Sequence, residues 1–170
     1  TEAGTVMVRE IYPGGSNPRE LTEVGGTLFF TAHEDGYGPE LWRSDGTEAG
    51  TVMVADIDPG TDTWSPQELT GVDTTVFFVA DDGTNGLELW RSDGTETGTV
   101  MAADVNPGPG DSSPLLLTDV GGTLMYQGTE GTHGVELWRS DGSENGTVEV
   151  RDIETSTLDI EDKRQARDAL

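Results

Sequence analysis

The chain has no cysteine among its 170 residues. This absence excludes disulfide bonds, thiolate metal sites and cysteine nucleophiles, and it leaves the redox compartment open. The sequence also lacks an apolar run of membrane-crossing length and an N-terminal signal segment with a basic start and an apolar centre. Residues 1–4 recur as residues 47–50, so the chain resembles one that begins with a cut through a repeat, and a signal peptide upstream would be compatible with it.

Basic residues are scarce, with nine Lys and Arg against 33 Asp and Glu, and Lys163 is the only lysine. The net charge of -24 repels nucleic-acid phosphates and anionic membrane surfaces, so we expect no nucleic-acid partner and no membrane insertion. Such acidity is typical of proteins adapted to high salt, where the Debye length falls to about 3 Å at 1 M, and of surfaces that collect calcium. The dispersal of the acidic residues favours the halophilic interpretation.

Aromatic residues make up only 6% of the chain, whereas glycine occurs 24 times and proline eight times. This composition suits short strands and many tight turns better than long helices. We therefore predict an all-β fold.

The motif Glu-Leu-Trp-Arg-Ser-Asp-Gly occurs three times, beginning at Glu40, Glu88 and Glu136. Its constant spacing of 48 residues indicates tandem structural repeats. In the second repeat, strand-forming segments at 67–71, 75–80, 87–92 and 99–103 are separated by turn-forming residues, which predicts a four-stranded antiparallel meander. A longer connection containing proline then leads to the next repeat.

Four-stranded meanders joined by crossover connections are typical of β-propeller blades. We predict three blades in tandem, with a solenoid of small sheets as the alternative. Closed rings hold roughly four to eight blades, so this ring is partial or is completed by oligomerisation. Residues 5–11 resemble a fourth strand without its first three, and we expect this orphan strand to pair with another copy or with a missing blade.

The segment Glu88-Leu89-Trp90-Arg91-Ser92-Asp93-Gly94-Thr95 resembles the E-L-W-x-x-D-G-T repeat of a family of bacterial proteins. The resemblance extends over residues 1–153 and includes the Asp-Ile/Val-x-Pro-Gly connection. Proteins of this kind are usually large and secreted or surface-anchored, so the resemblance implies a propeller outside the cell or at its surface. It implies no activity.

The pattern divides the chain into repeats at about 4–49, 50–97 and 98–145, with a final strand at 146–153. After Ile153, Glu-Thr-Ser-Thr replaces the expected Pro-Gly. We predict a helical tail or linker over residues 154–170, capped by Ser156 or Thr157.

The connections contain alternating oxygen ligands of the kind that calcium prefers, beside glycines that allow a loop to wrap around the ion. The candidate ligands are Asp56, Asp58, Asp62, Asp104, Asn106 and Asp111. The first repeat has Glu10, Tyr12 and Ser16 in these places, so we expect no site there. Asx-type turns beside Pro-Gly explain the same pattern without a metal, and we favour that interpretation.

The tryptophan of each motif is predicted to pack between blades, because strands between neighbouring sheets bury both faces. The adjacent arginine is predicted to pair with the aspartate two residues later, as in Arg43 with Asp45. Aromatic residues on loops are candidate contacts for a glycan or a protein partner, namely Tyr12, Tyr37 and Trp64.

The chain shows no apparatus for covalent acyl-transfer catalysis. His33 and His133 are the only histidines and fall at different positions of their repeats, and no Gly-x-Ser-x-Gly motif is present. Glycoside hydrolysis requires two opposed carboxylates, and nothing selects a pair among 33 acidic residues.

Three functions remain in view. The leading hypothesis is a non-enzymatic propeller module, extracellular or at the cell surface, that mediates protein or glycan interaction such as adhesion. The alternative is a structural subunit or outer domain of a surface filament or layer, with self-association through the orphan strand. A second alternative is a glycan-active enzyme that uses carboxylates.

Overall fold

The computed structural model describes residues 4–59 and 65–151, and these residues form three four-stranded sheets. The first sheet contains β1 (Arg19–Val24), β2 (Thr27–Glu34), β3 (Gly38–Ser44) and β4 (Val52–Ala55). The second contains β5 (Gln67–Val72), β6 (Thr75–Ala80), β7 (Glu88–Ser92) and β8 (Val100–Ala103). The third contains β9 (Leu115–Asp119), β10 (Leu124–Gly128), β11 (Glu136–Ser140) and β12 (Val148–Arg151). Within the described ranges there is no helix, and hence none that could cross a membrane.

The predicted antiparallel meanders are confirmed. Each sheet takes its strands in chain order, and every neighbouring pair is antiparallel. In the second sheet β6 coincides with the predicted strand, and the other three strands differ from prediction by one residue at one end. The alternation of apolar residues and the turn-forming residues between them therefore predicted the strand positions.

The first strands of the three sheets lie side by side, β1 next to β5 and β5 next to β9. Two threonines connect them in the same way, since Thr22 Oγ1 donates to the carbonyl of Leu69 at 3.1 Å and Thr70 Oγ1 donates to that of Leu117 at 3.2 Å. Glu68 adds a carboxylate that accepts from the Leu116 amide at 2.8 Å. The sheets are thus attached to one another along one edge.

The core lies between successive sheets. We call the side of a sheet that faces the following sheet its trailing face, and the opposite side its leading face. One apolar cluster joins the trailing face of the first sheet, through Leu41 and Ile57, to the leading face of the second, through Leu69 and Phe78. A second cluster joins Phe77, Leu89 and Ala102 to the leading face of the third sheet, where Leu117, Tyr126 and Trp138 lie.

Two of the three motif tryptophans pack between sheets as predicted, whereas Trp42 lies on the leading face of the first sheet against Ile11. Trp90 packs against the first cluster and Trp138 belongs to the second, so both lie between sheets. Trp42 is buried against Phe30, with ring centroids 6.5 Å apart. Each tryptophan faces an aromatic residue of the neighbouring strand, with Phe30, Phe78 and Tyr126 in that position.

Among the described residues no motif arginine forms the predicted ion pair with its aspartate, although the charge of the arginine contributes to lowering the aspartate pKa. Asp45 Oδ1 instead accepts from the amide and the hydroxyl of Thr47, at 2.9 and 2.7 Å, which closes the turn after β3. These hydrogen bonds satisfy the carboxylate locally and hold its pKa below the usual value. In the second sheet the guanidinium of Arg91 reaches the following sheet, where Nε donates to the carbonyl of Gly142 at 2.7 Å.

Residues 5–11 are not assigned as a strand in the isolated chain, and the pairing of this segment with another copy or a missing blade stays a prediction. The segment lies on the leading face of the first sheet, where Ile11 packs against Phe30 and Trp42, and Arg9 lies over the Trp42 ring at 5.8 Å. An isolated strand has no ladder of hydrogen bonds to join, and residues 5–10 remain exposed while Ile11 is half-buried. The predicted helix at 154–170 lies outside the described residues.

Candidate binding site

A cleft of about 450 Å³ opens between the first connection and the ends of β2 and β3. Its wall includes Tyr12 and Asn17 from the connection, Arg19 from the start of β1, His33 from β2, and Ser65. The polar residues of this wall converge on a largely apolar space, as is common in ligand sites. The cleft belongs to the first repeat, whose connection is two residues shorter than that of the second.

One side of the cleft is aromatic. The rings of Tyr12 and His33 lie 5.3 Å apart at 49° to each other. The backbone holds them in place, because the His33 amide donates to the Ser16 carbonyl at 2.8 Å and the Gly15 amide donates to the Tyr12 carbonyl at 2.9 Å. A Cβ at Gly14 would come within 2.3 Å of the Tyr12 ring, so glycine at this position allows the ring to fold back over the turn.

The cleft wall also contains a cationic residue, Arg19. Arg19 is exposed, and in the amide orientation that satisfies both groups the Asn17 oxygen accepts from Arg19 Nε at 3.1 Å and from Nη2 at 3.3 Å. Asn17 adopts a left-handed φ of 45°, which asparagine tolerates. No carboxylate in the part of the chain that the structure describes lies within ion-pair distance of Arg19. In a chain of net charge -24, such a guanidinium is available to an anionic ligand.

The glutamate that begins each motif has a structural role that sequence reasoning missed. Glu88 is fully buried and accepts hydrogen bonds from the Val105 amide at 3.1 Å, the Ser112 amide at 3.0 Å and the Ser112 hydroxyl at 2.5 Å. Burial raises its pKa to about 7 against the opposing effect of these hydrogen bonds. Glu40 makes the equivalent bond to the Ile57 amide at 3.1 Å. A glutamate recurring in an otherwise apolar strand was the signal that could have revealed this anchor.

The predicted calcium ligands form hydrogen bonds within and beside the connections. Asp111 Oδ1 accepts from the Leu87 backbone amide at 2.9 Å, and Nδ2 of the Asn106 side chain donates to the Asp111 backbone carbonyl at 3.0 Å. Asp104 Oδ2 accepts from the Gly108 amide at 3.4 Å. Asp56 and Asp58 lie near enough to Glu40 to raise its pKa. These contacts agree with the favoured turn interpretation, and calcium binding stays a prediction.

Two predicted residues, Asp62 and Trp64, lie outside the described residues. Tyr37 is on the hairpin between β2 and β3 with 42% of its surface exposed, whereas Tyr12 contributes to the cleft. The structure thus gives a binding geometry to one of the two described aromatic candidates. Arg19 and His33 were not predicted as partners of Tyr12, because each occurs in the first repeat alone.

The two histidines lie in different sheets and do not meet. His33 belongs to the cleft, whereas His133 lies on the hairpin between β10 and β11 in contact with Glu130. Glu149 of β12 completes a group with these two, in which one possible ligand atom from each residue lies within 4.8 Å of the others. Among the described residues this is the one such group of three or more His, Cys, Asp or Glu side chains.

No protein-family model, curated protein or solved structure matches the chain. The resemblance to the E-L-W-x-x-D-G-T family therefore stays a prediction, and the functional argument rests on the geometry.

Proposed function

We propose that the chain is a non-enzymatic binding module, extracellular or at the cell surface, whose three sheets are blades of a β-propeller. Sequential four-stranded sheets that meet along their first strands support the propeller arrangement. The extracellular placement follows from the family resemblance. Partner binding is assigned to the cleft of Tyr12, Arg19 and His33.

The observation that carries this proposal is an exposed guanidinium and an aromatic pair that line one cleft. Tyr12 and His33 offer rings on which the apolar face of a sugar can stack. Because the Asn17 oxygen accepts from Nε and from one N–H of Nη2, Arg19 offers the remaining N–H donors of Nη1 and Nη2 to a carboxylate. A volume of about 450 Å³ suits one or two sugar units. A glycan that contains an acidic sugar is therefore the ligand that we propose.

The test is titration calorimetry with oligosaccharides of uronic acids and with their neutral counterparts. We expect Tyr12→Ala and Arg19→Gln each to weaken binding of the acidic sugar by at least about tenfold, the equivalent of about 1.4 kcal/mol. Glutamine is the residue that the second repeat has in this place, at Gln67, so the arginine variant is expected to fold.

Tyr37→Ala is the matched control, since it removes an exposed tyrosine outside the cleft. Binding that both cleft variants retain, or that Tyr37→Ala alone removes, would place the ligand elsewhere. An absence of binding to every acidic glycan in a broad panel would count against the proposal itself.

A second candidate function, assembly into a filament or layer, is favoured by two sheet faces that no other described sheet covers. Leu41 and Leu89 are completely buried on the trailing faces of the first and second sheets, whereas the equivalent Leu137 of the third sheet is 41% exposed. On the leading faces, Leu69 and Leu117 are 8% and 9% exposed, whereas Leu21 of the first sheet is 63% exposed.

These two faces are complementary. Within the chain a trailing face packs twice against the leading face of the following sheet, and the two faces described here are a trailing face and a leading face of the same kinds. A second copy is the occupant that we propose, with its first sheet against the third sheet of its neighbour. A cavity of about 220 Å³ beside Leu21, Leu28 and Phe30 is available on the leading face. Residues 5–11 lie on the same face. If a neighbouring copy places its third sheet there, with β12 in the position that this segment holds, it has to displace residues 5–11. Such a head-to-tail contact extends into a filament or closes into a ring.

Light scattering of mixed variants tests this assembly. Leu137→Asp disables the trailing face and Leu21→Asp the leading face, so each variant alone is expected to be monomeric. In an equimolar mixture, the unchanged leading face of Leu137→Asp can pair with the unchanged trailing face of Leu21→Asp. The mixture is therefore expected to form a dimer that cannot grow. Tyr37→Asp, matched to Leu137 in exposure, is expected to assemble as the unmodified chain does. A chain that is monomeric at all concentrations, or a mixture that stays monomeric, would exclude this assembly.

A further inference from the structure

The third repeat departs from the other two at positions that meet in space. Glu149 stands where the second repeat has Met101 and the first has Met53. His133 stands where the second repeat has Asn85. The first change replaces a thioether by a carboxylate and the second replaces an amide by an imidazole, and both new groups are common zinc ligands. The departure therefore introduces two new ligands into a single repeat.

The fold brings these two residues to an existing carboxylate. Glu130 and His133 lie on the hairpin between β10 and β11, and Glu149 lies on β12 opposite Trp138 of β11. Glu130 Oε1 contacts His133 Nδ1, and the hydroxyl of Thr132 donates to the same oxygen. One ligand atom from each of the three residues lies within 4.8 Å of the others. His133 is exposed, and Glu130 and Glu149 are half-buried, so the three side chains converge at the protein surface.

We propose that Glu130, His133 and Glu149 form a binding site for a divalent transition-metal ion, of which Zn²⁺ is the representative. The imidazole nitrogen selects zinc, copper or nickel over calcium and magnesium, which prefer oxygen alone. Two carboxylates complete a set of three protein ligands, and water occupies the remaining coordination position. The net charge of -24 raises the local concentration of cations.

This site is distinct from the predicted calcium ligands and from the glycan cleft. The calcium candidates lie on the connections and offer only oxygen, whereas this group includes a nitrogen donor from a hairpin. The cleft lies on the first sheet and this group on the third. Zinc binding at this group therefore does not depend on whether the proposed glycan binding is correct.

The experiment is calorimetric titration of the full chain with Zn²⁺ in buffer free of calcium. We expect one site on the unmodified chain, with affinity reduced by at least about tenfold in His133→Asn and in Glu149→Met. The second repeat already has asparagine and methionine in these places, at Asn85 and Met101, so both variants are expected to fold. Thermal unfolding of each variant without metal checks this.

His33→Asn is the matched control, because it removes the other histidine of the chain and should leave zinc affinity unchanged. Zinc should also raise the melting temperature of the unmodified chain and of His33→Asn, but not that of His133→Asn. The proposal is overturned if the unmodified chain does not bind Zn²⁺, or if His133→Asn and Glu149→Met bind it as tightly as the unmodified chain does. Loss of binding in His33→Asn instead would also overturn it.

Discussion

The buried carboxyl of Glu40 predicts that the chain is more stable in mildly acidic than in alkaline solution. Glu40 accepts a hydrogen bond from the Ile57 amide at 3.1 Å and is 3% exposed. Burial raises its pKa from 4.5 to about 8, and the nearby Asp56 and Asp58 add to the effect. Between pH 4.5 and about pH 8, the Glu40 carboxyl is protonated in the folded chain and ionised in the unfolded chain.

The sign follows from this difference. A group whose pKa is higher in the folded state contributes stability that is fully present below pH 4.5 and is lost as the pH rises through 8. Each pKa unit corresponds to about 1.4 kcal/mol, so a rise in the Glu40 pKa from 4.5 to about 8 corresponds to about 5 kcal/mol in the free energy of unfolding. Water and side chains that move towards the ionised group offset part of this cost, and we expect a loss of about 2 kcal/mol between about pH 5 and about pH 9.

The assay is urea unfolding as a function of pH, in about 1 M NaCl to screen the repulsion among the many surface carboxylates. Glu40→Gln keeps an oxygen acceptor for the Ile57 amide but cannot ionise. Its free energy of unfolding should therefore vary less between these pH values than that of the unmodified chain, by about 2 kcal/mol. Glu96→Gln, which removes an exposed charge, should retain the original pH dependence. Equal pH dependence in Glu40→Gln and the unmodified chain would refute the reasoning.

Two further predictions concern stability, each measured by urea unfolding at neutral pH. Gly98→Ala should cost about 1–3 kcal/mol, because the new Cβ would lie 2.0 Å from Asp93 Oδ1 and the turn must shift to accept it; a cost near zero would show that this turn is not tightly packed. Arg91→Ala should cost about 1–2 kcal/mol through loss of the hydrogen bond to the Gly142 carbonyl. Arg139→Ala should cost less than about 0.5 kcal/mol, because Arg139 is exposed on the third sheet, and equal costs for the two arginines would remove the role assigned to Arg91.

The positions of the strands could be predicted because local chemistry sets them. Alternating apolar residues and turn-forming dipeptides recur every 48 residues, and the antiparallel meander follows from the short loops. The orphan strand could not be judged in the same way. Whether residues 5–11 pair as a strand depends on a neighbour in space, and composition does not reveal whether that neighbour is present.

The candidate site was less predictable than the fold. Tyr12 was identified as an aromatic residue on a loop, but its partners Arg19 and His33 meet it only after the first connection folds over β2. The interpretation of Arg43 failed for a related reason. An arginine near an aspartate in sequence suggests an ion pair, yet the turn satisfies Asp45 with Thr47, and this local competition is not visible from charge alone.

In a chain that repeats one sequence three times, comparison of equivalent positions distinguishes structural residues from functional ones. The residues that recur, such as Glu40 and Glu88, hold the connections, and the recurring aspartates close the turns; these contacts account for the fold without any ligand. Residues that occur in one repeat alone have no such explanation. Arg19 and His33 are specific to the first repeat, and Glu149 is specific to the third. Because the scaffold does not require them, these departures are where selection for binding would act, and both proposed sites consist largely of them.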